Sequence, residues 1–400
     1  MLRSILKIVL IWFGILAVCF CVLEVCFRFF RNEPDPLAAV SQKSPQYLFT
    51  PSSSFRSLSS VPGEFDYTAH INRFGYRGKD FPIEKTKGTL RIFAVGDSFT
   101  FGVGSSDEET ISALLEKDLQ AEGFRVEVVN AGIGGTSPVT NYVNLRDIHL
   151  KYQPDMVVYF FDLTDLWDDW YSERHAVFGK NNDIERFDPM FVNGQRDWWI
   201  TATYYSVFCR FFHNKVVRSW RKMQVLGMDK YLKAASEGRR AKAVIATQNQ
   251  NASIEYDGVL FMRGHDREAL IRQNWQRTEK YLTKIRDMLR ARGIPLVIAM
   301  YPHGIYVDGD QWGKGRLTWG FEADRRYDDY LPFEMVRDYA NRNNIPFINT
   351  LDAFLRAPKD KYFFDWDGHM TTAGNRIVAE ELAHSSVLKT LVAREPSASR

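Results

Sequence analysis

The run Arg91-Ile92-Phe93-Ala94-Val95-Gly96-Asp97-Ser98-Phe99-Thr100-Phe101-Gly102 decides how the chain is read. Its first half, Arg91–Val95, is short and apolar and predicts a buried strand. Its second half puts a serine in the turn that leaves the strand. In an open parallel sheet that turn lies at the carboxyl end of the strand, where such sheets place their ligands. The backbone N–H groups that follow are free to hold an anion. The run is not a P-loop, because no Gly-Lys-Ser/Thr follows. Nor is it a Gly-x-Ser-x-Gly elbow, because Thr100 stands where that pattern needs glycine. Taken alone, it is equally compatible with a turn and an N-capping serine.

Working outward, the pattern alternates. Thr110–Glu122 carries Ile111, Leu114, Leu115 and Leu119 at helical spacing, with Gly123 as its stop. Val126–Asn130 reads as a strand. Ser137-Pro138 is an N-cap followed by a first-turn proline, opening a helix toward Leu150. Met156–Phe161 reads as a buried strand. Alternation of this kind predicts an α/β fold with a parallel sheet and helices on both faces. The pattern breaks over about 165–265, which is aromatic and weakly periodic, with Trp167, Trp170, Trp198, Trp199 and Trp220. That stretch is read as an insertion over the active-site edge. Its segment Tyr204–Lys222, aromatic and basic, is read as a packed helix. Helix returns at Asp266–Arg292, strand at Ile294–Met300, helix at 333–343, strand at Ile345–Asn349 and helix at Thr372–Thr390.

The bulk composition is that of a globular protein: 400 residues, 45% hydrophobic and 25% charged. This suits one large α/β domain with insertions or two smaller domains. A net charge of +3 gives no reason to expect nucleic-acid binding. Three of the four cysteines, Cys19, Cys21 and Cys26, sit in an N-terminal apolar run. Only Cys209 lies in the body, so no disulfide forms within it. No Cys/His spacing suits zinc, and no metal or cofactor is expected.

Ile5–Phe27 is apolar around Lys7 and Glu24, close to the roughly 20 residues a spanning helix needs. A cleaved signal peptide requires small residues after its core, whereas Cys19–Phe30 is bulky. Residues 1–31 are therefore expected to be an uncleaved single-pass anchor in membrane lipid. Residues 32–65, rich in Pro and Ser up to 62, are expected to be a linker, and 66–390 the globular domain. Arg3 and Lys7 precede the span and give a slight bias toward a cytoplasmic N-terminus. The expectation is an inner-membrane protein whose domain is periplasmic or extracellular.

Two further motifs carry chemistry. Asp365-Trp366-Asp367-Gly368-His369 precedes Gly374 and a helix. A serine hydroxyl is a poor nucleophile until a base takes its proton, and that base needs an orienting carboxylate. A short Asp-x-His turn supplies both. Asp367 is favoured over Asp365 because it is two residues from His369. Asn130-Ala131-Gly132-Ile133-Gly134-Gly135 follows a strand, and its glycines allow the backbone to approach a ligand closely.

Taken together, these motifs resemble the SGNH (GDSL-type) hydrolase family. Arg91–Gly104 is similar to its first block, Asn130–Gly135 to its glycine block and Asp367–His369 to its closing block. The resemblance covers about residues 66–165 and 270–385. The run Ile71-Asn72-Arg73-Phe74-Gly75-Tyr76-Arg77-Gly78 is similar to a subgroup of anchored members linked to bacterial surface polysaccharides. The resemblance implies a flavodoxin-like three-layer sandwich and a triad of Ser98, His369 and Asp367. It also implies an oxyanion hole from the Ser98 and Gly135 N–H groups and a side chain. One position departs: Thr164 stands where the family has an Asn whose amide donates to the oxyanion. Its neighbours Asp162, Asp165, Asp168 and Asp169 lack the spacing of a calcium loop and are read as an acidic rim.

The function implied is hydrolysis of acyl esters, or acyl transfer to a hydroxyl of a cell-surface or exported glycan. The alternative is a non-catalytic glycan-binding or assembly protein on the same scaffold, to which Thr164 lends support.

Overall fold

The computed structural model describes residues 2–30, 48–59, 61, 63–187, 191–192, 195–196, 206, 208–209 and 258–393. Strands β1 (Ser53–Leu58) and β2 (Asp66–Ile71) form an antiparallel hairpin. β3 (Leu90–Gly96), β4 (Val126–Gly132), β5 (Met156–Phe161), β10 (Leu296–Met300) and β11 (Phe347–Asn349) form one parallel sheet in the order β11-β10-β5-β3-β4. The pairs β6 (Ala176–Phe178)/β7 (Ile184–Phe187) and β8 (Phe191–Val192)/β9 (Gln195–Arg196) are short separate ribbons.

Every residue of β3, β5 and β10 is buried. This is the continuous apolar run of a strand covered on both faces. Among the described residues, the helices with defined bounds are α1 (Leu2–Phe30), α2 (Ser98–Phe101), α3 (Ile111–Ala121), α4 (Pro138–Asp147), α5 (Asp165–Arg174), α6 (Glu268–Arg290), α7 (Gly304–Val307), α8 (Leu331–Arg342), α9 (Leu351–Arg356), α10 (Thr372–His384) and α11 (Ser386–Val392). α3 packs against α10, and α6 packs against α4 and α5.

The strand order positions the site. β3 has β4 on one side and β5 on the other, so the chain leaves these strands in opposite directions. The crevice opened at their carboxyl ends is where an open α/β sheet binds its ligand. Ser98 leaves β3 there, and Asp162 and Thr164 leave β5.

The turn after β3 is tightly constrained. A Cβ on Gly132 would lie 2.2 Å from the Phe101 amide nitrogen. β4 must therefore carry glycine where α2 crosses it.

Three expectations change. The linker reading of 32–65 does not hold for its second half, because Ser53–Leu58 pairs with Asp66–Ile71. Serines hid the strand by diluting its alternation, in which only Phe55 is buried. Residues 32–47 lie outside the described residues. Second, Asp165–Arg174 is a core helix rather than the start of an insertion. Most of that insertion, including Trp198, Trp199 and Trp220, also lies outside the described residues. Third, Asp162, Asp165 and Asp169 are not a solvated rim; each is at most 1% exposed. Burial, followed by neighbouring aspartates, drives the pKa of the Asp165 carboxyl well above its ordinary range.

Helix α1 carries exposed apolar side chains, among them Ile11, Trp12, Leu16 and Val18. Among the described residues, no helix is long and apolar enough to cross a membrane. Parts of the Ile5–Phe27 run lie outside the residues whose side chains are described.

The Ile71–Gly78 run becomes a brace. Asn72 Oδ1 accepts from the Phe74 and Tyr76 amides at 2.9 and 3.1 Å, closing a tight turn. That turn delivers Arg77, which is 4% exposed. Its guanidinium donates to the Phe101, Gly102 and Ser105 carbonyls at 2.8, 2.7 and 2.5 Å and pairs with Asp107 at 2.8 Å. These carbonyls include those at the end of α2, which have no partner within so short a helix. Removing one member of a buried ion pair leaves its partner uncompensated. Arg77→Met is expected to lower stability by about 3–5 kcal/mol in urea unfolding.

Candidate active site

The structure brings Ser98, His369 and Asp367 together from opposite ends of the chain. Ser98 opens α2, and Asp97 before it caps the helix, its side chain accepting from the Phe99 amide at 2.9 Å. Asp367 and His369 lie in the turn before α10. His369 Nε2 lies 2.8 Å from Ser98 Oγ. His369 Nδ1 is bonded to Asp367 Oδ1. Asp365 faces elsewhere, toward Lys361 Nζ at 3.1 Å and Lys314 Nζ at 3.7 Å.

Two residues that the sequence did not flag hold this turn. Glu64, in the β1–β2 loop, accepts from the Trp366 and Asp367 amides at 2.6 and 3.3 Å. Trp312 packs beneath the turn so closely that a Cβ on Gly368, at φ +92°, would lie 2.7 Å from its ring. No local motif signals either one, because each acts on a turn far away in sequence.

The site is electrostatically loaded. Burial lowers the affinity of His369 for a proton, but the Asp367 carboxylate outweighs it and the net pKa lies above the usual 6.5. The base must be neutral to accept the serine proton. The acid limb of kcat/KM for ester turnover is therefore expected to have its midpoint above pH 6.5, with activity rising as pH increases through it. A pH–rate profile checks this. Beneath Ser98, Asp97 is buried beside Asp162. Burial and that neighbouring charge push its pKa to about 7, while the Tyr301 hydroxyl donates to it at 2.7 Å.

Ser98, His369 and Asp367 line a cleft of about 150 Å³ together with Asp97, Phe99, Asp162, Thr164, Val259, Met262, His303, Trp312, Trp319 and Gly368. Gly134 lies beside the serine: a Cβ there would be 3.6 Å from Ser98 Cβ. Gly135 is exposed at φ +75°, one residue further on, and is not among the lining residues. The amides of Ser98 and Gly135 have no acceptor among the described residues. Thr164 lines the cleft, but its hydroxyl donates to Asp162 Oδ1 at 2.6 Å. A hydroxyl has one proton, so Thr164 in this arrangement has none to offer an oxyanion. Among the described residues, no group of three or more His, Cys, Asp or Glu side chains is placed to hold a metal.

Residues 256–398 match the family described as SGNH hydrolase-like domain, acetyltransferase AlgX. The match takes in Asp367 and His369 and leaves Ser98 outside. No curated protein sequence matches significantly. Among solved structures, the chain is similar to the acetyl xylan esterase AlAXEase (16% identity, 73% of this chain and 98% of that one, TM-score 0.36). It is also similar to a catalytic mutant of Axe2, an acetylxylan esterase from Geobacillus stearothermophilus (15%, 79% and 100%, TM-score 0.37). A third is TesA (14%, 76% and 99%, TM-score 0.36). Over residues 256–398, which carry Asp367 and His369, the chain is thus similar to the SGNH hydrolase-like family.

Proposed function

We propose that this protein moves acyl groups through an ester on Ser98, either to water or to a hydroxyl of a surface or exported glycan. The observation that carries the reading is the 2.8 Å contact of His369 Nε2 with Ser98 Oγ, with Asp367 on the opposite ring nitrogen. Asp367 fixes the tautomer with the proton on Nδ1 and leaves the Nε2 lone pair toward the serine. His369 takes the serine proton as Oγ attacks the ester carbonyl. The Ser98 and Gly135 N–H groups are assigned to the oxyanion. When the tetrahedral intermediate collapses, the carbon–oxygen bond to the alcohol breaks and His369 returns the proton to that alcohol. In the second half, the same ring takes a proton from water or an acceptor hydroxyl, and Ser98 Oγ leaves and is reprotonated.

The test is turnover of 4-nitrophenyl acetate by the detergent-solubilised full chain, with acid quenching during the burst. Release of 4-nitrophenol with an acetyl group trapped on Ser98 supports the reading. A second reading, a non-catalytic glycan-binding protein, is favoured by the engagement of the Thr164 hydroxyl with Asp162. It gains the upper hand if neither product nor trapped acetyl appears.

The acceptor location follows from the N-terminus. We assign the Ile5–Phe27 run to a single inner-membrane span that tethers the domain outside the cytoplasm. A reporter fused to the C-terminus is expected to be active only when it requires export; activity of a cytoplasm-only reporter contradicts the topology.

A further inference from the structure

We infer that His303, fixed by Asp162, binds a hydroxyl of the acceptor next to the one being acylated, so that the preferred acceptor is a vicinal diol of the carbohydrate type. This rests on the acyl-serine reading above.

His303 lies just beyond β10, at the N-cap of α7, and is 5% exposed. Its Nε2 is 2.8 Å from Asp162 Oδ2. Asp162 Oδ1 accepts from the Thr164 amide at 2.7 Å and its hydroxyl at 2.6 Å. The Thr164 hydroxyl also lies 3.0 Å from Asp168 Oδ2. The Thr164 amide, the Thr164 hydroxyl and His303 Nε2 all donate to Asp162. Three hydrogen bonds converge on one buried carboxylate, which fixes the proton of His303 on Nε2.

The consequence is at the other ring nitrogen. His303 Nδ1 has no partner among the described residues, and His303 lines the same cleft as Ser98 and His369. The Phe99 ring contacts both imidazoles, with centroids 4.9 Å from His303 and 4.6 Å from His369. The cleft thus holds two aspartate-backed histidines on one aromatic ring. Only His369 reaches the nucleophile. An imidazole with its proton fixed on Nε2 presents an acceptor at Nδ1, and the neutral donor that suits it is an O–H. Trp312 and Trp319, with centroids 6.2 Å apart, add an aromatic wall suited to the C–H face of a polyol.

The roles then divide. As the acceptor oxygen bonds to the acyl carbon, its proton passes to His369. The bond from that carbon to Ser98 Oγ breaks, and Oγ recovers the proton. A neighbouring hydroxyl donates to His303 Nδ1 throughout, without transferring its proton, and aims the reacting oxygen. His303 is in this sense a specificity residue.

The full chain, acetylated by 4-nitrophenyl acetate, is offered glycerol or 1-propanol, which share a primary hydroxyl and differ in the vicinal one. The quantity read is the ratio of transfer to hydrolysis, which is independent of the rate of acylation. The parent is expected to favour glycerol by about tenfold, the worth of one hydrogen bond. His303→Ala should bring the two acceptors within about twofold. His303→Phe, which keeps a ring against Phe99 and removes Nδ1, should do the same and decides the matter if the alanine variant does not fold. A parent that forms the acetyl-enzyme but treats both acceptors alike overturns this inference alone, as does an undiminished preference in the folded variants. A parent that forms no acetyl-enzyme overturns the acyl-serine reading itself.

Discussion

Ser98→Ala is expected to lower ester turnover by about 10⁴-fold or more, the scale on which removal of a serine nucleophile acts in other triads. The loss should fall on kcat. The protein should stay folded, because Ser98 Oγ bonds His369 at the edge of the cleft and fills no core position. The cap of α2 comes from Asp97 and its closing carbonyls go to Arg77, so the helix keeps its anchors without the hydroxyl. The check is a kinetic assay beside a thermal melt. Turnover retained in a variant that melts like the parent removes the serine from the mechanism.

Asp367→Asn should cost nearly as much, about 10⁴-fold in kcat, because an amide no longer fixes the imidazole tautomer. The same substitution at Asp365 should leave kcat within about threefold. Its side chain faces Lys361 and Lys314 on a partly exposed rim, where such pairs contribute little. Losing Asp367 also removes the charge that holds the His369 pKa up, so residual activity in Asp367→Asn should have its acid limb at lower pH than the parent. Equal losses at both positions, or a limb that does not move, would mean that a different carboxylate orients the base.

The sheet could be read from the sequence because its strands are covered on both faces. Met156–Phe161 is apolar at every position and needed no partner to be recognised. The short turns Gly96–Gly102 and Asp365–His369 were equally readable, since each concentrates its chemistry within a few residues. The Ser53–Leu58 strand was not, because its partner is a neighbouring strand and its serines mimic a linker. The supports of the site were hidden for a related reason. Glu64 acts on residues 366 and 367, Arg77 on 101, 102 and 105, and His303 on 162, all through contacts that only the closed fold creates. The aspartates after β5 misled most. Charged residues in a row read as solvated, yet here a buried histidine and a threonine satisfy Asp162 inside the fold.

The proposed function requires Ser98 to be an activated nucleophile. The most direct test is to treat the solubilised full chain with a fluorophosphonate and locate the adduct by peptide mass. Phosphonylation confined to Ser98, and much slower in Asp367→Asn, is the result expected. An unmodified protein, or an adduct on a different serine that abolishes turnover, would contradict it.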